Sequence, residues 1–368
     1  MRIAMLTDCY LPRLGGIEVQ VHDLSQRLAQ RGHEVEVFTI TPGATGYGGT
    51  ETIAGIPVHR YGLRLPRGLL VNPFAAPQMR RRLEHFDVGH IQMGVVSPFA
   101  TDAGVLVRRI GLPATMTWHC VLDRTEPLFG LVGHVRRWAR GGIAMNGVSE
   151  VAAAPLRRLT GCPVSVLPNG IDVEAWRVPG STRPVRQTGP VRAVAAIRLE
   201  RRKRPARLVE LIARVRAAAP EVDVRLEIFG EGSERRRVEQ VIDELGAAGW
   251  VTLAGRMPRD ELRRRYAAAD VYVSPAVLES FGIAALEARC AGLPVVGRIE
   301  SGVSEFVSHG VNGLLAASDH ELVDALRALV TDPELRHRMT EHNLTTRPEQ
   351  SWPRVVEIAE SEYRRAGA

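Results

Sequence analysis

The chain reads as short apolar runs, each closed by polar or glycine-containing turns and followed by a stretch with helical spacing. Residues 2–8, RIAMLTD, are apolar until Thr7 and Asp8. A loop with Gly15 and Gly16 follows. IEVQVHDLSQRLAQRG then carries apolar positions at intervals of three and four as far as Gly32, which predicts a helix ending at that glycine. HEVEVFTI alternates as a strand does. VGHIQM (88–93), ATMTWH (114–119), AMNGVS (144–149) and VSVLPN (164–169) are further strand candidates. After residue 190 the alternation restarts with VRAVAAI, VRLEIFG, WVTLAG, DVYVSP and LPVVGRI, separated by helical segments and followed by helices. Alternating elements of this kind predict parallel sheets covered on both faces.

Between the two series, VPGSTRPVRQTGP (178–190) is rich in Pro, Gly, Ser and Thr and has no apolar periodicity, as an interdomain linker would. The expected organisation is an N-terminal domain over 1–177, the linker, a C-terminal domain over 191–350 and a terminal helix over 351–368. With 368 residues, each half is long enough to bury its own core. Two doubly wound α/β domains facing a cleft would bind ligands outside the carboxyl ends of their strands, so the loops after strands are where chemistry is sought.

Composition narrows the function. Hydrophobic residues make up 45% and charged residues 24%, as in ordinary soluble proteins, and no apolar run is long enough to span a bilayer. The N-terminal run is broken by polar residues and has no cleavage site, so a strand is expected there and a cytoplasmic location for the chain. Cys9, Cys120, Cys162 and Cys290 lie far apart, which predicts reduced thiols and no zinc site. The net charge of +7 and pI of about 9.7 suit nucleic acid, an anionic membrane surface or a phosphorylated substrate. Among the 48 Lys and Arg residues there is a single lysine, Lys203, within ERRKR. An ammonium is a compact point charge, whereas a guanidinium is a planar fork. With Arg198 just upstream, after the first strand of the second series, the run reads as a diphosphate clamp and not as a nucleic-acid-binding segment.

Other segments supply partners for such a clamp. In SPAVLESFGIAALEARCAGLPVV (274–296), Glu279 lies in a loop and Glu287 on the helix that follows. Backbone N–H groups near Phe281, Gly282 and Ile283 would point at a bound phosphate, and each carboxylate can accept a pair of sugar hydroxyls. IFGEGSERR has Gly230 and Gly232, but Arg235 stands where a dinucleotide fingerprint needs its third glycine. His119 ends a strand, where it can meet a sugar hydroxyl. No D-x-D occurs; hard cations at nucleotide-sugar sites need clustered carboxylates, so no metal and no other cofactor is expected.

Together these residues resemble the retaining family-four glycosyltransferases of GT-B fold. The family's E-x7-E is Glu279 to Glu287, PNGID is 168–172, and the N-terminal glycine pair is Gly15-Gly16. Its GR-L-x3-KG element is met by Arg198, Leu199 and Lys203, with Ile197 and Arg204 in place of the glycines. In SGVSEFVSHGVNGLL, Val303 replaces a second glycine. The resemblance implies transfer of a hexose from a nucleoside diphosphate sugar with retention of configuration, and a terminal helix crossing back to the first domain. It implies that Arg198 and Lys203 hold the diphosphate, Glu287 the ribose and Glu279 the sugar hydroxyls. Gly16 would approach the phosphates, Gly230 and the Arg256–Met257 loop would line the nucleotide pocket, and His119 would lie beside the sugar. GDP-mannose is the expected donor. A UDP-sugar-dependent enzyme of natural-product or thiol biosynthesis is the alternative; a nucleotide-sugar 2-epimerase and a non-enzymatic sugar-binding protein are readings from other classes. For the acceptor, Tyr10 and the cluster Arg80, Arg81 and Arg82 in FAAPQMRRRLEHF (74–86) are candidates, as is LFGLVGHVRRWAR (128–140). Either amphipathic segment can rest on anionic lipid, and the first is placed like the basic helix of phosphatidylinositol mannosyltransferases.

Overall fold

The computed structural model describes residues 1–13, 15–44, 46–63, 72, 74–122, 133–177 and 189–368. Most of the expected linker, 178–188, lies outside them. The chain forms two compact units, Met1–Gly170 with Trp352–Ala368, and Ile171–Ser351. The second unit thus begins at Ile171, six residues before the expected end of the first domain at 177, because helix Val173–Trp176 packs within it: the Trp176 ring lies 5.8 Å from that of Tyr266.

The first unit is built on β1 (Arg2–Thr7), β2 (Glu34–Thr39), β3 (Gly48–Ile53), β4 (Ile56–Tyr61), β5 (Val88–Met93), β6 (Ala114–Trp118), β7 (Ala144–Gly147) and β8 (Val164–Val166). Their order in the sheet is β3-β4-β2-β1-β5-β6-β7-β8, parallel except for β3. β1 and β5 are buried along nearly their whole length, which is why they read as continuous apolar runs. The hairpin β3–β4 escapes the sequence pattern. Its turn is Ala54–Gly55, both with positive φ, as a two-residue hairpin turn requires, but with Ala where Asn or Asp would announce it. β6, β7 and β8 also stop short of the expected ends at 119, 149 and 169. After β7, for example, Ser149 turns aside to cap helix Glu150–Thr160, its hydroxyl accepting from the Ala152 N–H at 3.1 Å.

The terminal helix, Trp352–Arg365, belongs to this unit. Trp352, Val355, Val356, Ala359 and Tyr363 enter the same core as Ile3 and Met5 of β1. Burying each of the larger side chains contributes roughly 1.5–3 kcal/mol. Polar contacts fix the helix register: the Tyr363 hydroxyl lies 2.9 Å from His90 Nδ1, and Glu360 lies 3.1 Å from His33 Nε2.

The second unit holds β9 (Val191–Ala196), β10 (Val224–Phe229), β11 (Val251–Gly255), β12 (Val271–Ser274), β13 (Val295–Arg298) and β14 (Gly313–Ala316). β14 was not expected; NGLLA is too short to show a period. All neighbours are parallel, in the order β11-β10-β9-β12-β13-β14. In chain order this is 3-2-1-4-5-6, the doubly wound arrangement whose direction reverses between β9 and β12. The loops after those two strands therefore diverge and open a crevice.

Candidate functional site

That crevice collects the residues singled out in the second half. The chain leaves β9 through Arg198 and makes a single 3-10 turn, Arg201–Lys203. It leaves β12 through Pro275 and Glu279. Lys203 Nζ donates to Glu279 Oε2, and both side chains are about 15% exposed. A lysine and a glutamate far apart in sequence thus meet because their strands are neighbours. Arg198 stays open, its guanidinium 58% exposed and 3.3 Å from Glu200. An exposed guanidinium beside a half-sequestered ammonium suits an incoming anion.

Helix Ile283–Cys290 starts at Gly282, whose φ of +91° is one that L side chains rarely adopt. This conformation aims the first N–H groups of the helix out of the strand end. Phe281 points the other way, into the core, its ring 5.6 Å from Phe306. Glu287 lies on the helix at 7% exposure, close enough to Tyr266 and Tyr272 to help hold both phenols above their ordinary pKa, where burial is the main cause. At the neighbouring strand ends, Gly230 packs on the Ile197 carbonyl and donates its N–H to Gly255 at 2.7 Å. Arg256, exposed, and Met257, half-buried, follow Gly255.

Arg204 stands where a glycine would be expected, and its φ is +57°. The backbone asks for glycine there, and the side chain offsets the cost. Its guanidinium donates to both carboxylate oxygens of Asp319, at 2.9 and 2.6 Å, and to the Pro275 carbonyl at 3.1 Å. Arg207 Nε adds a bond of 2.7 Å to Asp319, and Arg298 lies 3.4 Å from it. The loop bearing Lys203 is thus tied to the one bearing Glu279. The sequence carried a signal for this, arginine where the family has glycine, but not its partner. Arg204 and then Arg207 hold the Asp319 carboxyl at about 2, below its ordinary value. A depressed carboxylate stabilises the folded state at neutral pH, and this contribution is lost as pH falls from about 4 through 2. Asp319→Asn should therefore show a flatter fall of the unfolding midpoint over that range than the unaltered chain; coincident acid limbs would refute the assignment.

In the first unit, His119 follows β6, and its backbone N–H donates to Met93 at 2.9 Å. Its Nε2 lies 2.7 Å from Gln92 Oε1, and burial pushes the imidazole down to about 4. Gly16 opens helix Gly16–Gln30, but the chain's own Glu18 carboxylate folds back over that end, so that a Cβ on Gly15 would overlap it. Arg13 pairs with Glu18 at 3.0 Å. An acid three residues past the N-cap is the signal for this arrangement. Asp8 accepts from the Phe99 and Ala100 N–H groups at 3.0 and 2.9 Å, and burial pushes it up to about 6.

Two expectations are corrected. Tyr10 is not on an acceptor-facing surface: it is fully buried beneath the first helix, its hydroxyl 2.8 Å from His22 Nδ1. Trp138 does not face outward either; helix His134–Arg140 turns it and Val135 into the core, because only that face is apolar. Residues 128–132, with Phe129 and Leu131, lie outside the described residues. Arg80, Arg81 and Arg82 are exposed on helix Ala75–Leu83, which buries Ala75, Met79 and Leu83. No helix among the described residues is long and apolar enough to cross a membrane.

Comparison with known proteins agrees with this layout. Residues 14–175 match the family model described as Glycosyltransferase Family 4, and residues 184–345 the one described as Glycosyl transferases group 1. A D-inositol 3-phosphate glycosyltransferase of Pseudarthrobacter chlorophenolicus is 29% identical over 385 residues, covering 96% of this chain and 90% of the relative. One from Kribbella flavida is 28% identical, covering 96% and 91%. Among solved structures, Anabaena HepE in complex with UDP and glucose superposes with a TM-score of 0.74 at 18% identity, covering 98% of this chain and 99% of that one. Sucrose-phosphate synthase from Thermosynechococcus elongatus gives 0.75 at 19%, covering 99% and 98%. At these identities the structural likeness is one of fold.

Proposed function

As the chain belongs to the family-four glycosyltransferases of GT-B fold, we propose that it moves a hexose from a nucleoside diphosphate sugar to its acceptor with retention of configuration and without a metal ion. The observation that carries this reading is the Lys203–Glu279 pair at the switch between β9 and β12, beside the helix that starts at Gly282. An arriving diphosphate draws Lys203 and Arg198 to its oxygens and lies against the helix N-terminus. Glu279, relieved of the ammonium, accepts from the sugar hydroxyls, and Glu287 from the ribose. Arg256 and Met257 take the base, and His119 contacts the transferred sugar. The bond from C1 to the phosphate oxygen breaks as the bond to the acceptor oxygen forms on the same face, and the leaving phosphate oxygen takes the acceptor's proton. The cations act on charge that grows in the transition state, and this is what accelerates the step. Metal independence rests on the lack of D-x-D, since the two cations and the helix end balance the diphosphate.

The donor is GDP-mannose on one reading and a UDP-sugar on the other. The UDP held by Anabaena HepE supports the second, and relatives named for D-inositol 3-phosphate support a phosphorylated polyol as acceptor over a lipid or glycan. A thermal-shift panel of GDP, UDP and ADP sugars, with and without EDTA, should show stabilisation by one base that survives the chelator. Stabilisation by none, or only with metal, would overturn the proposal. If the lipid reading holds, Arg80, Arg81 and Arg82 rest on anionic headgroups. Changing all three to Ser should then weaken sedimentation with anionic vesicles, and undiminished binding would remove the membrane role.

A further inference from the structure

Gln92 is a buried polar residue in the middle of the first sheet. It lies on β5, opposite Thr117 in the parallel register with β6, and is 3% exposed. Two neighbours meet its amide. His119 Nε2 is 2.7 Å from Oε1, and Met5 Sδ is 3.9 Å from Nε2. A thioether accepts weakly and has no proton to give, so the NH2 end belongs toward Met5 and the carbonyl toward His119. A carbonyl only accepts, so the imidazole proton must sit on Nε2. The other ring nitrogen, Nδ1, has no hydrogen-bond partner among the described residues. Together with His90, Thr117 and Asn169, His119 and Gln92 line one cavity.

Burial disfavours the imidazolium and pushes His119 down to about 4. The titratable neighbour, His90, is pushed to about 3 chiefly by burial, and its ring nitrogens are taken by Tyr363 at 2.9 Å and Thr117 at 2.7 Å. His119 is therefore neutral at working pH, and its tautomer decides what it offers a ligand.

We propose that Gln92 is the positioning residue for His119: Oε1 holds the proton on Nε2 and leaves Nδ1 as the acceptor for a hydroxyl of the transferred sugar. This rests on the reading that His119 contacts that sugar. It makes His119 an acceptor for a sugar O–H and no donor at Nδ1, so a donor sugar lacking the contacted hydroxyl is discriminated against.

The test uses the full chain labelled with 15N-histidine. Long-range proton–nitrogen spectra report the tautomer, and donor kinetics are measured in parallel on Gln92→Leu and Gln92→Glu. The unaltered protein should show His119 protonated at Nε2. Gln92→Leu should lose that preference and raise the donor KM about 3- to 10-fold, the worth of one hydrogen bond, with a smaller change in kcat. Gln92→Glu should keep the Nε2–H tautomer and move the acid limb of the pH profile upward, because a carboxylate stabilises the imidazolium. Protonation at Nδ1 in the unaltered protein would overturn the proposal, as would a tautomer and pH profile left unmoved by both variants. If the tautomer shifts in Gln92→Leu but His119→Ala leaves the donor KM unchanged, the sugar contact itself is wrong and the ligand half of the proposal falls with it.

Discussion

Lys203→Ala should lower kcat/KM for the nucleotide-sugar donor by about 10²- to 10³-fold, the loss typical of removing one group that stabilises transition-state charge. Lys203→Arg should recover little of it. Nζ reaches Glu279 from a turn whose neighbours are already committed, Arg202 to Glu200 at 3.2 Å and Arg204 to Asp319. Only 14% of the Lys203 side chain is exposed. A guanidinium there must place a planar fork in space shaped for an ammonium, and it would hold Glu279 in a two-point grip that a sugar hydroxyl cannot displace. The alanine variant fails differently: Glu279, 15% exposed, is left without its cation, and the arriving diphosphate meets Arg198 alone of the two. Donor kinetics separate the cases. The alanine variant should lose mainly kcat, because the diphosphate charge that grows on leaving is unbalanced. The arginine variant should also raise the donor KM. Turnover within threefold of the unaltered enzyme in Lys203→Ala would remove Lys203 from the site.

Why Lys203 was legible in the sequence and its setting was not follows from what a linear pattern contains. β1, β5 and β9 announce themselves because strands buried along most of their length are mostly apolar. A lysine after one and a glutamate after another can thus be placed at strand ends from the sequence alone. Their meeting depends on β12 lying beside β9 with two strands and three α-helices looped out between them, and strand order leaves no mark on local periodicity. Arg204 was visible as an oddity, but Asp319, which explains it, begins a helix more than a hundred residues on. Tyr10 misled because an aromatic just past a strand end can turn either way, and the His22 that receives its hydroxyl lies a helical turn and more into the next element. Gln92 carried no signal beyond being polar in an apolar run; only its two neighbours give the amide a direction.

Gly302→Ala should abolish most donor turnover although Gly302 need touch no ligand atom. The turn Gly302–Glu305 packs directly under the Glu279 loop, and the Gly302 N–H donates to the Glu279 carbonyl at 2.8 Å. A Cβ on Gly302 would overlap the Ser280 carbonyl oxygen and sit 2.6 Å from Phe281 Cα. These are backbone atoms and cannot rotate away. Val303, fully buried behind them, has its Cγ2 2.9 Å from where a Cβ on Gly282 would lie, so the turn cannot retreat without opening the core. The loop from Glu279 to Gly282 must therefore shift, and with it the carboxylate on Lys203 and the start of helix Ile283–Cys290. Misplacement by about 1 Å can cost about 10²-fold in rate, and a loss of that order is expected in kcat/KM. The unfolding midpoint should fall by only a few degrees, because the strain is confined to two loops while the sheet order and its helices are untouched. Equal turnover in the alanine variant would show that the loop tolerates displacement, and that Glu279 does not depend on this packing for its position. A large loss of activity with a near-normal midpoint would instead mean that the donor site is held in register by backbone packing beneath it, and that the Lys203–Glu279 pair reports this register and does not create it.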